Sequence, residues 1–315
     1  MSLVIPRGEV AALDTQENNL HMPEVTEKPE KAHNFNLPKD YLSASSIATA
    51  MQCGWKFYFR YIENISTPSS GAATMGKVTH KVYEKYYSDK ISNPFAVLNG
   101  AQMADLSVDI LNEELKDAEL AGTEFNKDAI IPNLKNITEG YVNIVGVKTT
   151  PKVVETEIRY RSKCGVDILG YIDLVREKNE FEAAVEDFQF SEIIADYKIT
   201  GKKWAAGNLT NSLQFQLYAL ATGIPRVEIH NVVNSPKRIS AKEISPENYL
   251  DQQQDVGTGI RLLRESFPTE NEYMERVIAS VAGSISAGNF MPTDPSNWWC
   301  SEKFCGYYHM CRGAV

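Results

Sequence analysis

Ile193-Ile194-Ala195-Asp196-Tyr197-Lys198-Ile199 is the stretch on which the fold turns. Its apolar residues and Tyr197 read as a short strand, stopped by Thr200-Gly201-Lys202-Lys203. Side chains alternate faces along a strand, so Asp196 and Lys198 project from the same face. A carboxylate and an ammonium on a buried strand are costly unless they have work to do. Their chemical use is a metal ligand beside a group that steers a water. A lone Asp-x-Lys is more often an exposed ion pair on an edge strand, so the reading depends on what accompanies it.

The two neighbouring segments supply company. Val153 to Tyr160 alternates like a strand, and Val166 to Arg176 is a second strand interrupted by Gly170. Asp173 closes Gly170-Tyr171-Ile172-Asp173. If the strands of Asp173 and Asp196 are adjacent, the two carboxylates converge on one cation. Two carboxylates, a neutral imidazole and waters suit magnesium or manganese. Residues 177–189 read as an acidic turn region, in which Glu186 and Asp187 are rival carboxylates without a lysine two residues on.

Upstream, residues 1–40 are polar, carry four prolines and read as a flexible leader. Ser43 or Ser45 can cap a helix running to Tyr61, which contains Cys53. A second helix, Met75 to Ser88, places His80 and Glu84 four apart on one face. Taken alone, these are a surface or capping histidine and a solvated acid. Helical periodicity continues from Phe95 to Leu120 and from Ile137 to Val147. Downstream, Leu213 to Thr222 is an apolar helix with Gln214 and Tyr218 on one face, and Arg226 to Val233 is a strand. Pro246 to Ser266 and Thr269 to Ala287 read as helices, before a tail rich in Pro, Trp and Cys.

The chain has 315 residues, enough for one large domain or two modest ones, and its net charge of −9 provides no global basic field. Nucleic acid, if bound, needs a local basic patch. Lys202-Lys203-Trp204 follows the Asp196 strand directly, so its lysines can meet phosphates and its indole can stack on an unpaired base. Arg159, Arg161 and Lys163 flank the preceding turn. No apolar run approaches the ~20 residues of a membrane span. Pro6, Arg7 and Gly8 interrupt any signal-peptide core. These features imply a cytoplasmic protein whose five cysteines are not structural disulfides.

Three of those cysteines, Cys300, Cys305 and Cys311, lie within twelve residues and suggest a metal site that needs a fourth ligand. Cys53, Cys164 and His309 are the candidates. Zinc and an iron–sulfur cluster both accept four thiolates, and spacing does not decide between them.

The order Gly76…His80, Gly170-Tyr171-Ile172-Asp173, Asp196-Tyr197-Lys198 and Gln214-Phe215-Gln216-Leu217-Tyr218 resembles the RecB-like branch of the PD-(D/E)XK nuclease superfamily. The resemblance spans most of residues 41–311, with Ile172 where a proline often precedes the first acid. It implies an α/β restriction-endonuclease-like core, a central mixed β-sheet flanked by helices, within a single domain over 41–315. A helical insertion over 90–147 and a C-terminal cysteine-rich staple at 288–315 complete it. By resemblance, His80, Asp173, Asp196 and the Tyr197 carbonyl hold a divalent metal and Lys198 activates water, while Gln214 and Tyr218 support the catalytic site or touch DNA. The tail is similar to that of the iron–sulfur exonucleases of the AddB and CRISPR-associated type. These place one cysteine before the core and three after it, which implies a [4Fe-4S] cluster on Cys53, Cys300, Cys305 and Cys311. The gap from Cys300 to Cys305 is longer than the frequent C-x2-C of those enzymes. Cys164 is then a packing or surface thiol. The implied substrate is DNA, single-stranded or at duplex ends, with a helicase, annealing or recombination protein as partner. The rival reading is a non-catalytic DNA-binding or scaffold subunit whose cysteines are purely structural. The joint presence of Asp173, Asp196 and Lys198 argues against it.

Overall fold

The computed structural model describes residues 35–312 apart from 68–70, 121–125, 185–189, 234–252 and 258. The expected leader over 1–34, the rival acids Glu186 and Asp187, and the start of the helix expected from Pro246 lie outside the described residues. The chain enters through a two-residue strand, β1 (Tyr41–Leu42), and helix α1 (Ala44–Gln52). Ser43 caps α1 by accepting from Ser46 N–H, while the Ser46 hydroxyl accepts from Ser43 N–H. Next come α2 (Gly54–Phe57), a π-turn over Tyr58–Ile62, α3 (Gly71–Ser92), α4 (Gly100–Leu120) and α5 (Lys127–Ile144). Strands β2 (Pro151–Arg161) and β3 (Asp167–Glu177) are followed by α6 (Glu180–Ala184) and β4 (Glu192–Thr200). The remaining elements are α7 (Ala206–Thr210), α8 (Leu213–Thr222), β5 (Arg226–Val233), β6 (Gln253–Gly257), β7 (Ile260–Ser266), α9 (Glu272–Ser286) and α10 (Tyr308–Arg312).

The mixed sheet runs β1-β3-β4-β5-β7-β6, with β2 pairing β3 as well. Helices α3, α4 and α5 cover one face through Val82, Tyr83, Leu111, Leu134 and Tyr141, packed on Leu174, Ala195 and Tyr197. Helix α8 covers the other through Phe215 and Ala219, packed on Ile172, Ile194 and Ile229. Each fully buried residue of this size contributes about 1.5–3 kcal/mol. The sheet is covered on both faces, and β4 lies between β3 and β5 rather than at an edge.

The pairing of β3 positions the site. Its register with β4 runs from Glu177↔Glu192 to Leu174↔Ala195 and then stops. The short β1 takes up the same neighbourhood only at Asp167 and Ile168. The two central strands therefore part at the next pair in register, Asp173 and Asp196. A fork in a sheet leaves backbone groups that side chains must satisfy. Here Tyr197 N–H donates to Asp173 Oδ2 at 3.0 Å, and the Tyr218 hydroxyl donates to the Tyr171 carbonyl at 2.5 Å.

Two sequence expectations are corrected. The helix expected to run unbroken to Tyr61 stops at Cys53, which is extended at φ −164° and ψ 114°. Gly54 N–H then bonds the Met291 carbonyl at 2.7 Å, so the C-terminal tail crosses directly over this break. The helix expected over Pro246–Ser266 is, within the described residues, the antiparallel pair β6 and β7. Leu262, Leu263 and Arg264 are all buried, so the period of two is lost in an interior strand. The turn between the strands carries Gly257 at φ 108° and Gly259 at φ 78°, a conformation suited to glycine.

Behind the fork lies a buried ionic network. Arg176 donates to both carboxylate oxygens of Glu182 at 2.8 Å and to Glu228 at 3.0 Å. Arg264 donates to the other Glu228 oxygen at 2.6 Å, and His230 sits 2.8 Å from Glu228. Losing one partner of such a network costs about 3–5 kcal/mol, so it fixes β3, β5 and β7 relative to one another.

Candidate active site

At the fork, β3 supplies Asp173, β4 supplies Asp196, Tyr197 and Lys198, α3 supplies His80, and α8 supplies Gln214 and Tyr218. His80 Nε2 lies 2.9 Å from the Tyr197 carbonyl and Nδ1 lies 3.3 Å from Asp173 Oδ2. Lys198 Nζ lies 2.5 Å from Asp196 Oδ2, and its ammonium also sits 5.6 Å over the Phe215 ring. Gln214 Nε2 donates to Asp196 Oδ1 at 3.1 Å and to the Tyr218 hydroxyl at 3.0 Å. Tyr218 in turn is fixed by the free Tyr171 carbonyl at the edge of β3. The i, i+4 spacing on α8 thus links the unpaired strand edge to the buried carboxylate.

The sequence passes over Glu155. Its register in β2, between Val154↔Leu174 and Thr156↔Ile172, puts it opposite Asp173 on the edge away from Asp196. Donor atoms of His80, Glu155 and Asp173 gather within 4.8 Å of one another. Glu155 is held at φ 45°, a left-handed conformation that costs a non-glycine residue about 1–3 kcal/mol and is concentrated at functional sites. Only the pairing of β2 with β3 reveals this residue; alternation along β2 gives it no distinction from Glu157.

The electrostatics are those of acids crowded away from water. Asp196 is 2% exposed, and burial followed by the Asp173 charge pushes its carboxyl up despite Lys198. Its Oδ2 has the lysine charge beside it but no donor in hydrogen-bonding alignment. Burial and the neighbouring Asp173 and Glu84 raise Glu155 to about 7. Burial also disfavours the Asp173 anion, yet His80 and the Tyr197 N–H outweigh it and hold this carboxyl low. Burial opposes a charged His80, while Asp173 and Asp196 together raise its pKa. A concentrated negative site of buried carboxylates, an imidazole and a backbone carbonyl matches the donors a hard divalent cation prefers.

The PD-(D/E)XK nuclease superfamily profile matches residues 41–312. The chain belongs to the PD-(D/E)XK nuclease superfamily. The solved structure of SSO0001 is similar at 12% identity and a TM-score of 0.33, covering 76% of this chain and 98% of that one. The comparison with curated proteins gave no match. Among the described residues, no helix of this PD-(D/E)XK protein is long and apolar enough to cross a membrane.

The basic residues expected to meet DNA are differently placed. Lys203 is tied to Asp255 at 2.5 Å. Trp204 is half-buried against the α8 core, its N–H on Asn231 and its carbonyl on Arg261. Lys202 is exposed. Arg159, Arg161 and Lys163 are paired with Glu157, Asp167 and Glu272.

At the far side of α1, Cys53, Cys300, Cys305 and Cys311 line one small cavity, walled by Trp55, Phe59, Trp299 and Tyr307. Burial and the other three thiols push the Cys311 thiol up. Thr293 N–H points at Cys53 Sγ at 3.4 Å and Arg312 at Cys300 Sγ at 3.8 Å. The Trp299 indole N–H is buried without a partner. Cys164 lies elsewhere, 3.2 Å from the Ser162 hydroxyl and packed on the α1–α9 core.

Proposed function

We propose that this PD-(D/E)XK protein is a divalent-metal-dependent DNA exonuclease with a structural four-cysteine iron–sulfur cluster. The observation that carries the reading is the fork, where Asp173, Asp196 and Lys198 meet His80 and the Tyr197 carbonyl on elements that hold all of them rigidly. Asp173, Asp196, His80 and the Tyr197 carbonyl are the ligands proposed for magnesium or manganese, with Glu155 as an additional carboxylate. Such an ion, when bound, offsets phosphate charge and lowers the pKa of its water. Lys198 orients and activates the attacking water beside the scissile phosphate. Gln214 fixes the rotamer of Asp196, and Tyr218 fixes Gln214. End-labelled single- and double-stranded DNA, incubated with manganese, magnesium or chelator, tests the activity. The expected result is metal-dependent shortening from the ends with closed circles resistant. Cleavage of circles would replace exonuclease with endonuclease, and cleavage in chelator would remove the metal.

Lys198→Met is expected to lower turnover by about 10²–10⁴-fold, the range of a positioned proton-handling group, with little change in DNA affinity. Single-turnover rates at saturating DNA report the first quantity and anisotropy the second. Loss confined to affinity would make Lys198 a phosphate contact.

Glu155→Gln is expected to shift the manganese dependence of thermal stability to higher concentration, since a ligand that binds only the folded state stabilises by mass action. An unchanged titration would place Glu155 outside the metal shell.

The cysteine cavity supports a four-thiolate metal site, for which the tail's resemblance suggests iron–sulfur. The four cysteines line one cavity, as a shared metal site requires. The Thr293 N–H and the free Trp299 indole N–H are the kind of donors that bond cluster sulfur. DNA, with a helicase, annealing or recombination protein, remains the proposed set of partners.

A further inference from the structure

A groove of about 690 Å³ runs from α1 and the π-turn across the edge of β3 to Gln214 and Tyr218. It borders Leu169, Gly170 and Tyr171, the part of β3 beyond its last pair with β4, and its lining includes Gln214, which donates to Asp196. Its lining contains Lys39 and Arg60, four tyrosines and four serines, and no aspartate or glutamate. The chain has 41 acids against 32 lysines and arginines, which makes an acid-free wall beside a carboxylate cluster distinctive.

The two cations are also unneutralised. Lys39 lies 5.6 Å over the Tyr41 ring and Arg60 5.3 Å over the Tyr61 ring, and among the described residues neither has a carboxylate partner. Both are exposed. Lys203, Arg159, Arg161 and Lys163, by contrast, are already spent on local acids. Tyr171 is 52% exposed, two residues before Asp173 on the same strand. Unpaired cations attract phosphates, and exposed aromatic faces stack on bases only when those bases are unpaired.

We propose that this groove takes an unpaired DNA strand, with Lys39 and Arg60 on its phosphates and Tyr171 stacked on a base one step from the carboxylates. The inference rests on the nuclease reading and deepens it by naming single-stranded DNA as the form that reaches the site. It also moves the strand path away from Lys202, Lys203 and Trp204. Lys39 precedes α1 in the chain and Arg60 follows it, and both line the groove that reaches Gln214.

Fluorescence anisotropy of a labelled oligothymidine and of a blunt hairpin duplex, in chelator and over a salt series, tests this with the full chain. The wild type is expected to bind the oligothymidine more tightly than the duplex. Lys39→Ala with Arg60→Ala should lower the slope of log affinity against log salt by about 1.4, at roughly 0.7 per phosphate on a single strand. Tyr171→Ala should weaken binding about tenfold, the scale of one lost base stack. All three positions are at the surface, so unchanged thermal midpoints are the check on folding. Wild-type affinity and slope in the double variant, or equal affinity for blunt duplex, would overturn the groove. A protein that binds in this groove-dependent way yet cleaves nothing with manganese would instead overturn the nuclease reading.

Discussion

Asp196→Asn removes DNA cleavage and, in metal-free protein near neutral pH, raises the thermal midpoint. Two opposite effects are expected from one substitution because the proposed metal ligand is a buried carboxylate whose charge costs the fold. Its side chain is buried, it faces Asp173 across the fork, and its Oδ2 lacks a well-directed donor. Folding therefore holds this carboxyl above its usual range, to about 6. A raised carboxyl binds its proton more tightly when folded, so the penalty grows as pH rises through the ordinary carboxylate range to about 6 and is complete above it. An amide of the same shape avoids that penalty. The loss of cleavage should exceed about 10²-fold, the scale at which a single charge-stabilising group acts.

Asp173→Asn separates this account from a general loss of structure. It too should abolish cleavage, but its stability change has the other sign. The fold holds the Asp173 carboxyl low, through His80 and the Tyr197 N–H, so its charge stabilises the folded chain above the carboxylate range. Neutralising it should lower the midpoint. Melting shifts of opposite sign, with activity lost in both, would be hard to produce by any route other than a shared charged site. Near-normal cleavage by either variant would remove the site assignment.

Much of the geometry of the candidate site is legible in the sequence because strand alternation and helical i, i+4 spacing are local rules. Asp196 and Lys198 share a face by a period of two, and Gln214 and Tyr218 share one by a period of four. The bounds of α8 and β5 follow from the same rules. What escaped depends on pairing between distant segments. Glu155 matters only because β2 lies in register with β3. Glu228 is an ordinary polar position in β5 until Arg176, Arg264 and His230 close around it. The β6–β7 hairpin was hidden because an interior strand shows no alternation, and Asp255-Val256-Gly257-Thr258-Gly259 can be mistaken for helix when its glycine turn is overlooked. The basic stretch after β4 shows a related dependence on distant pairing. A lysine in sequence next to a site is not free until its acids are known, and Asp255 holds Lys203 from another strand.

Cys53→Ser should cost the iron and a large part of the stability together, whereas Cys164→Ser should cost neither. Cys53 stands at the break between α1 and α2, and the tail reaches it from 240 residues away, where Thr293 N–H points at its sulfur. Linking such remote segments removes much freedom from the unfolded chain, and any cluster bound only by the folded form adds its binding energy to folding. Anaerobically purified wild type should be brown with about four irons per chain. The serine variant should be colourless and melt lower. Gly54→Ala probes the same junction without touching a ligand. A Cβ there would lie 2.6 Å from Met291 N and 2.7 Å from the Phe290 carbonyl carbon, both backbone atoms, so the tail has to move. Its expected effect is partial iron content and a lowered midpoint, between wild type and Cys53→Ser. Zinc in place of iron would keep the four-thiolate staple and remove the cluster. Iron lost on replacing Cys164 but kept on replacing Cys53 would overturn the ligand set. A colourless Gly54→Ala protein with an unchanged midpoint would detach the tail's packing from its contribution to stability, because the cluster and the crossing at Gly54 would then act independently.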